Sequence, residues 1–149
     1  MTTQEFSRSL PMMLIRALDA VMPRFRDIFK EFGLTEQQWR VLRVLWEQDE
    51  IAFGDLADVT LIAAPSLVGV IDRLNKQGLV DRRRSTTDRR NVFILATDKG
   101  KDLHLQVRPL VDKAYAELQA SIEPAEWQQI INNLDRVVSL QKESDTWQK

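Results

Sequence analysis

Residues 79–97 of the chain, LVDRRRSTTDRRNVFILAT, decide the fold. Two short β-prone runs, Leu79-Val80 and Val92-Phe93-Ile94-Leu95, flank a polar segment from Arg82 to Arg90. Runs of β-branched and aromatic residues on either side of a polar turn predict a β-hairpin. Strands this short are not stable alone, so the hairpin must pack against helices.

The sequence before the hairpin predicts helices, because apolar residues recur there every three or four positions. The first helix covers about residues 9–32 and contains Pro23, where we expect a kink or a break. Thr35-Glu36-Gln37-Gln38 has the pattern of a capping box and opens the second helix, which runs to about Gln48.

Two more helices precede the hairpin and two follow it. A short one covers residues 53–60, and the next has Pro65 at its start and Gly78 at its end, as is usual for these residue types. The last two cover about residues 97–120 and the segment from Pro124 onward. We therefore expect one domain over 1–149, with a winged-helix lobe at about 35–97 and flanking helices at about 9–33 and 97–143.

The basic residues are concentrated in one region. The chain has a net charge of −1, yet residues 64–91 contain seven basic and three acidic side chains and carry +4. A basic region on an acidic protein is typical of polyanion binding, although a solvated charged loop is the simpler alternative. Five arginines lie within nine hairpin residues, and no apolar residue separates them, so this segment cannot be core. They are Arg82, Arg83, Arg84, Arg89 and Arg90.

Two short helices followed by a two-stranded wing predict a device that reads a DNA duplex. The second of these helices lies in the major groove, and the wing reaches an adjacent groove or the phosphates. Arginines on such a wing suit a narrow A·T-rich minor groove, and Asp88 would weaken binding unless it holds a nearby arginine. The predicted DNA-binding residues are Ala64, Pro65, Ser66, Val68, Gly69, Arg73, Arg84, Asp88, Arg89 and Arg90.

Four segments resemble the MarR family: Val70-Ile71-Asp72-Arg73-Leu74, Gly78-Leu79-Val80 with Arg82, Asp88-Arg89-Arg90 and Leu95-Ala96-Thr97-Asp98-Lys99-Gly100. The resemblance covers essentially the whole chain. It implies a mainly α fold with a small β-hairpin wing, a winged helix-turn-helix flanked by N- and C-terminal dimerisation helices. It also implies a homodimer on pseudo-palindromic double-stranded operator DNA, in which the first, fifth and sixth helices form the interface.

Three further segments resemble the subgroup of this family that controls homoprotocatechuate (hydroxyphenylacetate) degradation operons. They are Ser9-Leu10-Pro11-Met12-Met13-Leu14, residues 34–43 and Ala64-Pro65-Ser66-Leu67. This implies a repressor that an aromatic carboxylic acid releases from its operator, such as hydroxyphenylacetate, homoprotocatechuate or indole-3-acetate. The alternatives are a regulator of efflux or stress genes that responds to other phenolic ligands, and a winged helix that binds only proteins.

The chain departs from the subgroup at Leu18, where related aromatic-acid sensors carry an arginine that holds the ligand carboxylate. Arg16 or Arg40 is the substitute that we expect. Trp39 lies where the resemblance implies a ligand pocket, and its indole either stacks on an aromatic ring or packs in the core. The predicted ligand-binding residues are Ser9, Arg16, Trp39, Arg40 and His104.

The sequence offers little for catalysis or metal binding. There is no cysteine, His104 is the only histidine, and the five glycines are scattered rather than gathered in a phosphate-binding loop. We therefore predict no catalytic residues, no cofactor and no metal site. The chain also lacks a membrane-length apolar run and a secretory N-terminal pattern, so we expect a cytoplasmic protein that does not associate with membranes.

Overall fold

The computed structural model describes residues 5–144, with side chains described through residue 140. A 3₁₀ turn at Phe6–Arg8 precedes the first helix. The elements that follow are α1 (Leu10–Glu31), α2 (Glu36–Glu47), β1 (Ile51–Ala52), α3 (Phe53–Thr60), α4 (Ala64–Lys76), β2 (Val80–Arg84), β3 (Val92–Ala96), α5 (Asp98–Ala120) and α6 (Pro124–Ser144).

The chain forms two compact units, Met1–Val111 and Asp112–Lys149, and the boundary falls within α5. The core of the first unit combines the inner faces of α2, α3 and α4 with the two longer strands. Its fully buried side chains include Val41, Leu42, Leu56, Leu67, Val70, Ile71, Leu74, Val80 and Ile94. Aliphatic residues of these kinds, once removed from water, supply most of the stabilisation of such a core.

Helix α1 is continuous through Pro23, so a break does not occur there. Proline removes one hydrogen bond from the helix ladder. The residues beyond it are nevertheless firmly held, because Phe25 and Phe29 are only 5% and 2% exposed. The N-terminal half of the helix differs, since none of the residues 10–24 is buried in the chain.

The predicted capping box at the start of α2 is confirmed. The backbone N–H of Gln38 donates to Thr35 Oγ1 at 3.1 Å, and the backbone N–H of Thr35 donates to Gln38 Oε1 at 3.0 Å. These bonds satisfy N–H groups that the helix itself leaves without partners. The start of α2, where Trp39 lies, is therefore fixed.

Helices α3 and α4 form a helix-turn-helix with 104° between them, within the range usual for this motif. Leu61 ends α3 in the left-handed conformation, with φ of +56°. Pro65 lies in the first turn of α4, which buries the predicted stripe of Leu67, Val70, Ile71 and Leu74. Among residues 5–144 no single helix is long and apolar enough to span a membrane, and only α3 and α4 taken together across their bend reach that length and composition.

The predicted hairpin is confirmed, with β2 and β3 antiparallel from Val80↔Ala96 to Arg84↔Val92. A third strand, β1, was not predicted and pairs with the other side of β3 through Ile51↔Ile94 and Ala52↔Phe93. Two residues are too few to show an alternating pattern in the sequence. The result is a mainly helical fold with a small three-stranded antiparallel sheet of order β1-β3-β2.

The start of α5 packs directly against the base of the hairpin. A Cβ atom added at Gly100 would lie 2.2 Å from the carbonyl oxygen of Leu79, so only glycine fits there. Thr97 strengthens the junction, because its Oγ1 donates to the carbonyl of Gly78 at 2.5 Å and accepts from the N–H of Gly100 at 3.1 Å. The threonine and glycine of the Leu95–Gly100 segment thus join the wing to α5.

Candidate nucleic-acid interface and adjacent groove

The exposed face of α4 carries the predicted reading residues. Ala64, Pro65, Ser66, Val68 and Arg73 are exposed, and Gly69 is half-buried. The absence of a side chain at Gly69 leaves room for the guanidinium of Arg73, whose Nη1 would lie 3.7 Å from an added Cβ. The side chains of this face are therefore small near the start of α4, and the cation of Arg73 lies one turn after Gly69.

The three consecutive arginines of β2 have different partners. Arg82 forms a salt bridge with Asp72 on the exposed face of α4. Arg83 forms a bidentate pair with Glu50, and the side chains of both are between a third and a half exposed. Arg84 is exposed and makes no salt bridge to any residue of the described chain, so its charge is the least compensated of the three.

Hydrogen bonds within the hairpin define the shape of the wing tip. Ser85 Oγ accepts from the backbone N–H groups of Thr87 and Asp88, each at 3.3 Å. Asp88 Oδ1 accepts from the backbone N–H of Arg90 at 3.1 Å and from its Nε at 3.2 Å. The sequence predicts that Asp88 weakens DNA binding unless it holds a nearby arginine, and Arg90 is the arginine that it contacts.

Positive charge remains at the surface despite these pairs. The side chain of Arg90 is 91% exposed although it touches Asp88. Arg89 is exposed and, among residues 5–144, forms no salt bridge. The Arg82–Asp72 pair joins the wing to α4. The exposed cations of the wing and of α4 therefore belong to one connected surface. Such a surface suits the phosphates of a duplex.

Comparison with known proteins identifies this arrangement. Residues 34–92, from just before α2 to the first residue of β3, match the MarR family. The chain is 36% identical to the homoprotocatechuate degradative operon repressor of Escherichia coli over 89% of each chain. The chain belongs to the MarR family. It is also 38% identical to the transcriptional regulator FarR of Neisseria gonorrhoeae, over 80% of this chain and 82% of that one.

The MarR fold of this chain is also that of a solved relative. The crystal structure of NadR in complex with 4-hydroxyphenylacetate superposes with a TM-score of 0.78 at 34% identity, over 92% of this chain and 97% of NadR. The named relatives of this MarR protein are transcriptional regulators and repressors. The chain is accordingly a winged-helix DNA-binding regulator and not an enzyme.

A series of aromatic rings in contact with one another runs through this MarR protein, from α1 through α2 to α5. Trp39 stacks on Phe29 with 4.5 Å between ring centroids, and its other neighbour is Trp46, edge-on at 5.5 Å. Trp46 in turn stacks on His104 at 4.5 Å with only 8° between the planes. Trp46 Nε1 also donates to the carbonyl of Gly100 at 2.9 Å. Four side chains thus connect α1, α2 and α5.

An open groove of about 330 Å³ lies between α2 and the turn of the helix-turn-helix. Arg40 Nη1 donates to the carbonyl oxygen of Thr60 at 3.3 Å, and Arg40 Nη2 lies 3.7 Å from Glu36 Oε1. The groove combines an indole, two guanidinium groups and an apolar wall, which is the chemistry that an aromatic carboxylate requires. Its lining residues are Trp39, Arg40, Arg43, Val44, Val59, Thr60 and Leu61.

The other three predicted ligand residues lie elsewhere. Ser9 Oγ donates to the carbonyl of Phe6 at 2.8 Å, and Arg16 Nη1 to the carbonyl of Ser7 at 3.4 Å. His104 lines a second groove, of about 170 Å³, together with Trp46 and Lys101. Within one chain, the structure therefore brings Trp39 and Arg40 together and keeps the other three apart from them.

The sequence prediction did not include five of the seven residues that line the larger groove, among them Arg43 and Leu61. Arg43 lies four residues after Trp39, so both project from the same face of α2, and this spacing could have identified it. Leu61 is 86% exposed at the groove, a position that only the turn geometry reveals. The turn of the helix-turn-helix is thus part of the groove wall.

Proposed function

We propose that this MarR protein represses an aromatic-compound catabolic operon and that an aromatic carboxylic acid releases it from the operator. The acid is hydroxyphenylacetate, homoprotocatechuate or an indole acid such as indole-3-acetate. One observation carries the proposal: the groove that suits such an acid shares its wall with the turn that precedes α4. The names of the E. coli repressor and of the NadR complex support the ligand class.

In the proposed DNA complex, α4 enters the major groove. Ala64, Pro65 and Ser66 allow close approach to the base edges, with Val68 and Gly69 beside them, and Arg73 reaches a guanine or a phosphate. On the wing, Arg84, Arg89 and Arg90 meet phosphates or a narrow minor groove, and Asp88 orients Arg90.

The functional unit that we propose is a homodimer formed through the first and last helices. The N-terminal half of α1 exposes an apolar set that one chain does not cover: Leu10, Met13, Leu14, Ile15, Leu18 and Val21. None of the residues 124–140 of α6 is buried, although the helix exposes Ile130, Ile131, Leu134, Val138 and Leu140. Apolar surface of this extent indicates a protein interface. Two-fold symmetry then implies a pseudo-palindromic operator, with half-sites about 10 bp apart.

In the effector complex, the ring of the acid stacks on Trp39 and its carboxylate pairs with a guanidinium of the groove. Arg40 is the guanidinium that links this event to DNA, because it also holds the carbonyl of Thr60 at the end of α3. Ser9, Arg16 and His104 remain proposed contacts. The ligand shifts the DNA-binding equilibrium only by its differential affinity for the two conformations, so operator and effector oppose each other reciprocally.

The proposal is tested by DNA selection followed by ligand screening. Duplexes that the protein retains from a random-sequence pool should contain two inverted half-sites, and light scattering should give twice 17.3 kDa. At about 100 times its dissociation constant, the effector should stabilise the native state by about 2.7 kcal/mol. Stabilisation by neutral phenols and not by acids would favour the efflux or stress regulator instead. Failure to retain any duplex would leave only a protein-binding winged helix.

A further inference from the structure

Arg83, the middle arginine of the wing strand, is held by two different contacts. Its Nε donates to Glu50 Oε2 at 2.9 Å and its Nη2 donates to Glu50 Oε1 at 2.6 Å. Its guanidinium carbon also lies 4.8 Å from the centroid of the Phe93 ring. The guanidinium is thus held by the carboxylate of Glu50 through its N–H groups and by the aromatic ring of Phe93 beneath it.

These contacts cross the whole sheet. Arg83 is on β2, Phe93 is on the central strand β3, and Glu50 directly precedes β1 at the other edge. In the register, Phe93 is opposite both Arg83 and Ala52, so these residues share one face of the sheet. One side chain therefore spans from the wing to the strand that joins α2 to α3.

The wing needs such a restraint. Strand β1 has only two residues and each hairpin strand has five, so backbone pairing alone holds the wing weakly. A single exposed ion pair contributes little, but a bidentate guanidinium–carboxylate pair that also lies over an aromatic ring is geometrically specific. The hydrogen bonds from Arg83 hold the pKa of Glu50 below its ordinary value, the direction that an acid paired with a guanidinium should show.

We propose that Arg83 is a positioning residue: with Glu50 it holds the wing against β1, and so sets where the other wing arginines meet DNA, but it contacts no phosphate itself. This inference rests on the proposed binding of DNA by the wing. It divides the arginine cluster into restraints and DNA contacts, although the sequence gives all five the same residue type.

Arg84 is the matched control. It is the next residue on the same strand, its side chain points to the opposite face, and it forms no salt bridge among residues 5–144. The logarithm of the binding constant falls linearly with the logarithm of the salt concentration, and each phosphate contact that is removed makes this slope shallower by about 0.9. In a dimer each substitution acts twice, so Arg84→Ala should make the slope shallower by about 1.8.

The experiment measures the affinity for a duplex selected by the unmodified protein, between roughly 50 and 200 mM salt. Arg83→Ala should weaken binding roughly tenfold, the loss of one exposed pair in each wing, and leave the salt slope unchanged. Lysine separates the two roles further. Arg84→Lys should keep the slope, whereas Arg83→Lys should lose as much affinity as Arg83→Ala, since an ammonium cannot make the bidentate pair.

Glu50→Gln completes a double-mutant cycle. Because the two residues act as one restraint, Glu50→Gln, Arg83→Ala and the double variant should lose the same affinity. Amide hydrogen exchange in the hairpin should accelerate in all three and stay unchanged in Arg84→Ala. Circular dichroism and melting curves establish that each variant is folded.

Three outcomes overturn the inference. A fall in slope for Arg83→Ala equal to that for Arg84→Ala would make Arg83 a phosphate contact. Tighter binding by Glu50→Gln would mean that the acid only masks the arginine. Unchanged affinity and hydrogen exchange in Arg83→Ala would remove the restraint. If the unmodified protein binds no duplex, the proposed function fails as well, whereas the three outcomes above leave it intact.

Discussion

Arg40 Nη1 donates a hydrogen bond to the carbonyl oxygen of Thr60, the last residue of α3, at 3.3 Å. The bond ties α2 to the turn of the helix-turn-helix, where Leu61 adopts a left-handed conformation. A cation at the C-terminal end of a helix is favourable for the helix dipole as well as for the free carbonyl. The same guanidinium lines the groove. In the proposed effector complex, the ligand carboxylate and the turn would therefore compete for it.

This competition predicts a specific phenotype for Arg40→Ala. Without the bond to Thr60, the ligand-free protein should already bind operator more weakly, and added effector should change its affinity by less than the 5- to 150-fold that is typical of allosteric coupling. Arg43→Ala is the control, because Arg43 lines the same groove but pairs with Glu47 at 2.7 Å. It should keep ligand-free operator affinity. The mechanism is wrong if Arg40→Ala binds DNA and responds to effector like the unmodified protein.

A second prediction concerns the DNA surface. Arg90→Ala should weaken operator binding and leave the melting temperature unchanged, because the side chain is 91% exposed and contributes no packing. Arg73→Ala should reduce discrimination between operator and random DNA by about 1–3 kcal/mol if it contacts a base. Lys113→Ala, an exposed cation on α5, should change neither property. Unaltered operator binding by both arginine variants would exclude this surface.

Substitution by alanine should affect stability differently at two glycines, Gly100 at the junction between the hairpin and α5 and Gly54 in α3. Gly100→Ala should lower the free energy of unfolding by about 1–3 kcal/mol, since its Cβ would collide with the backbone of Leu79. Gly54→Ala in α3 meets nothing within 4 Å and should leave stability unchanged or raise it by up to about 1 kcal/mol. Urea denaturation measures both. Equal effects would contradict the close approach at Gly100.

The proposed dimer interface predicts that a charge on α1 separates the protomers. Leu18 is 54% exposed in one chain, and Leu14 and Val21 lie on the same face of the helix. Leu18→Glu should shift the mass in dilute solution from twice 17.3 kDa towards 17.3 kDa. Lys30→Glu, on an exposed position of the same helix, should remain dimeric. An unchanged mass for Leu18→Glu would remove this face from the interface.

Much of the fold was predictable because its signals are local. The capping box at Thr35, the apolar stripe of α4 and the glycine at Gly78 each follow from residues a few positions apart. The two-residue strand β1 was not predictable, since its pairing with β3 joins residues about forty positions apart and has no periodicity of its own. Glu50 escaped notice for the same reason.

The candidate site was predicted less completely than the fold. The sequence identified the basic wing and the need for an arginine beside Asp88, but it could not show that Arg82 and Arg83 have acidic partners outside the hairpin. Trp39 was weighed as either a ligand platform or core, and it stacks on Phe29 while also lining the groove. The roles of these residues in binding remain predictions.

Release of the operator by an aromatic acid is tested by titrating the protein–operator complex with 4-hydroxyphenylacetate and following the fluorescence anisotropy of a labelled duplex. Homoprotocatechuate and indole-3-acetate are titrated in parallel, and 4-hydroxyphenylethanol is the matched control that lacks the carboxylate. We expect at least one acid to release the duplex and the control not to release it. Tryptophan fluorescence should be quenched in the unmodified protein but not in Trp39→Phe. Retention of the duplex with all three acids at millimolar concentration would contradict release by an aromatic acid.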